Sequence, residues 1–351
     1  MAITDPGEDR FKLIIMKRIL LTGASGTVGK EVLKQLYELG DEVDIIIFDK
    51  KSTGAKSFYK KFKNNITLIF GDISDKDDVC KVCKNLDVVI HLAAIIPPLA
   101  DKCPQLAEAV NIRGTKNLIE SVEELSPEAF FLYSSSISVY GDRISNPWIK
   151  TTDPLLPSER DQYARTKVEA ERLIIYSRIN WTIFRLTAIM GLSNHKPSEI
   201  MFHMPLESHM EIATPADTGR AFVNALDHLD ELNRKIYNLA GGEKCRIVYR
   251  DFLSRSFEIF GLGKPDFTDG SFAGKNFHCG YYEDGDRLNE ILDFRRETIE
   301  DYFKNLENSI SPVRKISTMI FRRLIKHNLQ KQSEPLVAIN TNDKTDIQHY
   351  F

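Results

Sequence analysis

The 351 residues contain no apolar run near the roughly 18 that a membrane-spanning helix requires; the candidates at 11–16 and 44–48 are strand-sized. Positive charge is not in excess either. Lys and Arg total 47 against 50 Asp and Glu, a formal net charge of -3, so no general basic surface advertises nucleic acid. A secretory leader is not expected, because Asp5, Glu8 and Asp9 stand where a positive n-region belongs. Cysteine is scarce and odd in number, at five, which speaks against a disulfide framework and suits free thiols in a reduced cytoplasmic setting. No internal repeat or low-complexity block occurs. Hydrophobic residues at 42% and charged residues at 28% remain, an ordinary globular balance in a chain long enough for a large domain plus a smaller one.

The first half alternates short apolar runs with helical patterns, the signature of a parallel sheet covered on both faces. Strands are expected at 19–21, 43–48, 66–70, 88–91, 130–133 and 181–186. Helices are expected at 28–39, 51–63, 105–125 and 162–178, the first stopped by Gly40. The fold class is therefore α/β, a Rossmann-like doubly wound parallel sheet. The pattern then becomes irregular over 187–212, with a helix expected at 215–229, a strand at 236–239 and helices at 248–260, 287–292 and 298–306. This divides the chain into a nucleotide-binding domain at 17–186, with 213–240 returning to it, and a smaller substrate lobe at 187–212 and 241–310. Residues 1–15 read as a polar extension.

Residues 311–351 are distinct. Arg314, Lys315, Arg322, Arg323, Lys326 and Lys331 occur with no acid between them, while Val313, Ile316, Ile320, Leu324 and Ile325 recur at helical spacing. Such a helix either lies on an anionic membrane or docks on the protein or a second subunit; docking is the favoured reading. The end, 340–351, is polar and expected to be loose.

Thr22-Gly23-Ala24-Ser25-Gly26-Thr27-Val28-Gly29 follows a strand and opens a helix. In that context Gly23 permits a tight turn, Gly26 lets backbone approach a pyrophosphate, and Gly29 lets helix and sheet pack closely. The helix N-terminus offers free N–H groups and the positive end of its dipole to the anion. Asp49 ends the second strand at the spacing of an acid that receives ribose hydroxyls. A carboxylate there repels a 2′-phosphate, so NAD is favoured over NADP, although Lys50 and Lys51 soften the preference.

Several motifs come together in one order: Thr22–Gly29, Gly71-Asp72-Ile73, His91-Leu92-Ala93-Ala94, Asn111 with Gly114-Thr115, Tyr133 through Ser136 to Tyr140-Gly141, and Tyr163-Ala-Arg-Thr-Lys167. Over about 17–305 the chain resembles the NAD-dependent epimerase/dehydratase family, the extended branch of the short-chain dehydrogenases. The resemblance implies that Asp72 and Ile73 flank an adenine, that Leu92, Ala93 and Ala94 line the phosphates and nicotinamide ribose, and that Asn111 supports the cofactor side. Ser136, Tyr163 and Lys167 would be catalytic, and a homodimer through the helices at 105–125 and 162–178 is implied. Four residues apart on a helix, Tyr163 and Lys167 share a face. A phenol normally ionises near 10, and the neighbouring ammonium and a positive nicotinamide are expected to lower that value. Tyr163 would then exchange the hydroxyl proton while Ser136 fixes the reacting oxygen.

Other signals carry less. Cys80 and Cys83 form a C-x-x-C pair late in a helix, where a buried structural role is expected rather than redox chemistry. His195, His203 and His209 lack metal-ligand spacing, and no metal is expected. Pro97, Ser136, Met190 and His203 are candidate substrate contacts, and Tyr140 and Tyr176 are expected to pack. Dehydratases of the family usually carry an acidic pair where Ile137 and Ser138 stand here. The short stretch after Gly191 has no arginine before Arg220, unlike a segment that grips a nucleotide diphosphate. Three readings stay open: a sugar or sugar-nucleotide epimerase/dehydrogenase, a reductase/dehydrogenase of a non-sugar, lipid-like compound, and a nucleotide-sensing binding protein.

Overall fold

The computed structural model describes residues 16–62, 66–192 and 197–351. The polar extension at 1–15, His195 and the end of the helix expected at 51–63 lie outside them in whole or part. Seven parallel strands form the central sheet: β1 (Lys17–Thr22), β2 (Val43–Asp49), β3 (Ile66–Phe70), β4 (Val88–His91), β5 (Phe130–Ser136), β6 (Asn180–Leu186) and β7 (Lys235–Leu239). Their spatial order is β7-β6-β5-β4-β1-β2-β3, with Ile19 beside Ile45 and Leu20 beside Val89. This is the doubly wound arrangement. Because both faces are covered, strands such as Ile45–Phe48 read as continuous apolar runs. The order reverses between β1 and β4, and the crevice beyond their carboxyl ends is where such sheets take ligands.

Helix α1 (Thr27–Glu38) packs Val32, Leu33 and Leu36 on one face of the sheet. On the other face a continuous helical run from Pro104 ends in α2 (Thr115–Leu125), followed in sequence by α3 (Gln162–Ile175). The run is not uniform: Glu108–Gly114 is wound as a π-helix, a local widening that sequence periodicity does not reveal. The helix expected at 215–229 stops earlier, as α4 (Pro215–Asn224), and passes into a 3₁₀ turn at Ala225–Asp227.

The stretch expected to be irregular contains a small sheet. Ala188–Ile189 pairs with His209–Ala213, which pairs with Arg246–Val248. A separate apolar core gathers there around Met201, Met204, Met210, Phe252, Phe257 and Phe303, between α5 (Tyr249–Phe260) and α6 (Ile299–Asn308). Gly261 ends α5 at φ +82° in the left-handed region. Next come α7 (Pro312–Gln330), α8 (Glu334–Thr341) and α9 (Lys344–Tyr350). The end of the chain is therefore not loose. Tyr350 is buried, its carbonyl accepts from the Gly274 N–H at 2.8 Å, and Asn276 donates to the His349 carbonyl at 2.5 Å.

Candidate active site

A cleft of ≈ 230 Å³ opens at the reversal point, lined by Gly23, Ser25, Gly26, Asp49, Asp72, Ile73, Leu92, Ala93 and Ala94 among others. Its floor demands glycine. At Gly23, φ +71°, a Cβ would stand 2.7 Å from the Ala93 nitrogen; at Gly29 it would stand 2.2 Å from the Gly23 carbonyl oxygen. No side chain caps α1, whose N-cap residue, Gly26, lines the cleft. Thr27 and Val28 sit just inside the helix: Val28 packs into the core, and Thr27 faces a second hollow beside Met190.

Asp49 spans the loop. Its carboxylate accepts from the Ser25 N–H at 3.0 Å and the Lys50 N–H at 2.7 Å, and from the Tyr59 hydroxyl. Burial first, and the Asp49 bond second, push the Tyr59 phenol well above its ordinary value, so it stays a donor. Tyr59 was not singled out in the sequence, because only the fold brings it to Asp49. At the next edge Asp72 accepts from the Ser74 hydroxyl at 2.7 Å and backbone at 2.9 Å, which holds its carboxyl below the usual range. Ile73 is pinned by Asn117, which donates to its carbonyl at 3.0 Å.

Between these walls and the catalytic candidates runs a buried chain through His91. Thr115 Oγ1 donates to the Asn111 carbonyl at 2.7 Å, so it accepts from His91 Nε2 at 3.0 Å. His91 Nδ1 then accepts from Thr22 Oγ1 at 2.8 Å, and that oxygen accepts from the Ala93 N–H at 3.3 Å. The neutral Nε2–H tautomer satisfies every link. Burial, and then the Lys167 charge, push the imidazole down to about 3. The Asn111 side chain bridges two parts of the site: it pairs with both polar groups of the Ile95 backbone, at 2.8 and 2.9 Å, and donates to Thr166 Oγ1 at 2.9 Å.

Ser136 ends β5 and accepts from the Ser138 N–H at 3.2 Å, and the Tyr163 hydroxyl on α3 stands beside it, close enough for the serine to favour the ionised phenol. Lys167, one turn on, donates to the Ser134 carbonyl at 2.7 Å and the Tyr133 hydroxyl at 3.3 Å. The spacing of four thus brings all three side chains together. The electrostatics differ from expectation. In the protein by itself burial dominates and holds the Tyr163 phenol above its ordinary value, while burial pulls the Lys167 amine down to about 7. The Lys167 ammonium is turned to Ser134 and Tyr133, and its nitrogen stands 5.7 Å from the centre of the Tyr163 ring. Behind it Glu171 and Arg185 form a buried two-point ion pair, at 3.0 and 2.8 Å, with Ser135 Oγ donating to Glu171 at 2.5 Å. Arg185 also donates to the Tyr140 hydroxyl at 2.7 Å, and Tyr140 to Asn238 at 2.8 Å. Tyr140 is therefore a polar linker as well as a packed ring, whereas Tyr176, expected to pack, is 82% exposed.

Two further spaces lie toward the second core. Pro97 and His203 share a polar chamber of ≈ 290 Å³ with Asp161, Phe277, Glu334 and Tyr350. His203 Nε2 lies 3.1 Å from Glu334, whose carboxyl falls to about 2, chiefly through that contact. Ile200 and Phe277 also border an apolar cavity of ≈ 210 Å³ lined by Met190, Met201, Met204 and Met210 and, among the described residues, by no charged side chain. His209 is elsewhere, edge-on to Tyr281. Cys83 is buried with its thiol pushed up to about 12, and Cys80 contacts Ser121. No three His, Cys, Asp or Glu side chains converge as a metal cage among the described residues.

The model of the NAD dependent epimerase/dehydratase family matches residues 19–240. The chain belongs to this family. A 3-beta-hydroxysteroid dehydrogenase of Mycolicibacterium neoaurum is 31% identical over 164 residues, 45% of this chain and 42% of that protein. The matches thus span less than half the length of the curated relatives. Two solved structures share the fold. One is a dTDP-glucose 4,6-dehydratase from Streptomyces venezuelae with NAD bound (TM-score 0.69, 19% identity, covering 83% of this chain and 96% of that one). The other is a UDP-glucuronic acid 4-epimerase from Bacillus cereus with UDP-glucuronic acid and NAD (TM-score 0.67, 20% identity, 83% and 98%).

Proposed function

We propose that this epimerase/dehydratase-family chain is an NAD-dependent oxidoreductase or epimerase working at a hydroxyl or carbonyl carbon. The observation that carries the reading is the convergence of Ser136 and the Tyr163 hydroxyl, with Lys167 one turn away, beside a glycine-floored cleft. The residues lining that cleft suit NAD: the uncapped start of α1 for the pyrophosphate, Asp49 for the adenosine ribose, Asp72 and Ile73 for the adenine. Bound there, the nicotinamide supplies the hydride acceptor or donor. Ser136 orients the substrate oxygen. A protonated Tyr163, which its burial favours, gives that oxygen its proton as a carbonyl is reduced; in the reverse direction the tyrosinate takes the proton as the carbon loses hydride. Lys167 holds the ribose side and stabilises the tyrosinate. Tyr163→Phe should lower turnover by about 10²–10⁴-fold while NAD affinity, read by tryptophan fluorescence, stays unchanged. Full turnover in that variant ends the proposal.

Two substrate classes fit this chemistry. The sugar-nucleotide reading draws on the bound ligands of the structural neighbours. A lipid-like hydroxyl compound is favoured by the methionine-walled cavity, because a diphosphate wants cationic partners and none lines it among the described residues. The relative acting on a 3-beta-hydroxysteroid points the same way. Mass spectrometry of ligand extracted from the purified protein separates the two. The second lobe, at 187–212 and 241–310, would hold the substrate, and a homodimer through the helices at 105–125 and 162–178 completes the reading.

A further inference from the structure

Helix α7 carries two faces of different fate. One is docked: Leu329 is buried and Ile325 half-buried against the second core, and the α7 backbone crosses Gly261, where a Cβ would stand 2.7 Å from the Lys315 carbonyl oxygen. The cations near this face are neutralised by the protein. Lys315 pairs with Glu307 at 3.3 Å, and Lys326 pairs with Asp266. The other face is bare. Val313, Ile316, Ile320 and Leu324, at helical spacing along one side, are 74%, 57%, 70% and 58% exposed, and Phe321 beside them is 56% exposed. The apolar stripe that was expected to dock on the protein is thus the one that faces out.

The charge around the bare face has a single sign. Arg323 borders the stripe on one side, Arg314 on the other, and Lys331 follows its end; these three make no ion pair among the described residues, whereas Arg322 lies on the docked side near Gly263 and Asp266. No acid occurs from 312 to 331. We propose that α7 is a peripheral membrane-docking helix whose bare face lies in the interface of an anionic bilayer. Five apolar side chains enter the acyl boundary while Arg314, Arg323 and Lys331 meet lipid phosphates. The same charges disfavour a second copy as the occupant, because a two-fold contact through this face sets like-charged residues against each other. At 19 residues with its cations spread along it, α7 lies on the membrane rather than crossing it; no helix among the described residues is long and apolar enough to span. This inference stands apart from the substrate reading.

The test is co-sedimentation of the full chain with vesicles of phosphatidylcholine alone and with about 30% phosphatidylserine. Binding should be at least about ten-fold tighter to the anionic vesicles and fall steeply by roughly 0.5 M salt. Arg314→Gln/Arg323→Gln should weaken it by about 25-fold, near five-fold per charge. Ile320→Glu/Leu324→Glu should abolish it without loss of helicity, since both residues are exposed. Equal affinity for both vesicles, or none for either, overturns the proposal. So does a wild-type dimer that Ile320→Glu/Leu324→Glu converts to monomer, which would assign the stripe to a second copy.

Discussion

His91 offers a measurement that reaches into the middle of the molecule. Its imidazole is fully buried and bonded at both nitrogens, and the folded protein holds it neutral down to about 3. In the unfolded chain it protonates near its ordinary 6.5. Between those values the unfolded state binds one proton more than the native state, so stability falls as pH falls. Integrating from pH 7 to pH 5 gives a loss of about 2 kcal/mol from this one residue, and about 3 by pH 4. His91→Gln removes the ionisation and leaves every other group in place. Urea unfolding of both proteins at pH 7 and pH 5, followed by the fluorescence of buried Trp181, measures the difference. The variant is weaker at pH 7, where it lacks the fitted hydrogen bonds, but its decline toward pH 5 should be about 2 kcal/mol shallower. Parallel declines would refute the buried neutral histidine and the hydrogen-bond directions derived from it.

Two further outcomes follow from buried or bridging carboxylates. Glu171→Gln leaves the Arg185 guanidinium without its counter-charge and should cost about 3–5 kcal/mol, read as a lowered urea midpoint; a change under about 1 kcal/mol would mean that the pair is solvated. Asp49→Asn removes the charge that repels a 2′-phosphate and should shift the ratio of kcat/KM for NAD over that for NADP toward NADP by at least about ten-fold. An unchanged ratio would leave Asp49 with only its structural bonds to Ser25 and Tyr59.

Much of the sheet is readable from short-range pattern, since a strand covered on both faces must be apolar at successive positions, as Ile45–Phe48 and Val88–Ile90 are. The glycine loop and the Tyr163/Lys167 spacing are equally local. Illegible features depend on partners far away in the chain. Tyr59 matters because β2 ends beside it, and Glu171 because Arg185 arrives from β6. The π-wound stretch at Glu108–Gly114 carries ordinary helical periodicity; Asn111 sits within it and bonds the Ile95 backbone. The terminal segment reads as polar, yet it is fastened by backbone hydrogen bonds and by Tyr350, which no composition window registers. The shift of Tyr163 ran opposite to expectation because burial outweighs an ammonium that is turned elsewhere.

Ser134, Ser135 and Ser136 engage Lys167, Glu171 and Tyr163 respectively, so three neighbours on one strand grip three successive turns of one helix. This corner behaves like a riveted bracket: drift at one point drags the other two, and its chemistry cannot be retuned a residue at a time. On the proposed lipid-like reading, adaptation to new substrates falls instead to the methionine-walled cavity, where Met190, Met201, Met204 and Met210 can reshape themselves around a changed guest without disturbing the bracket.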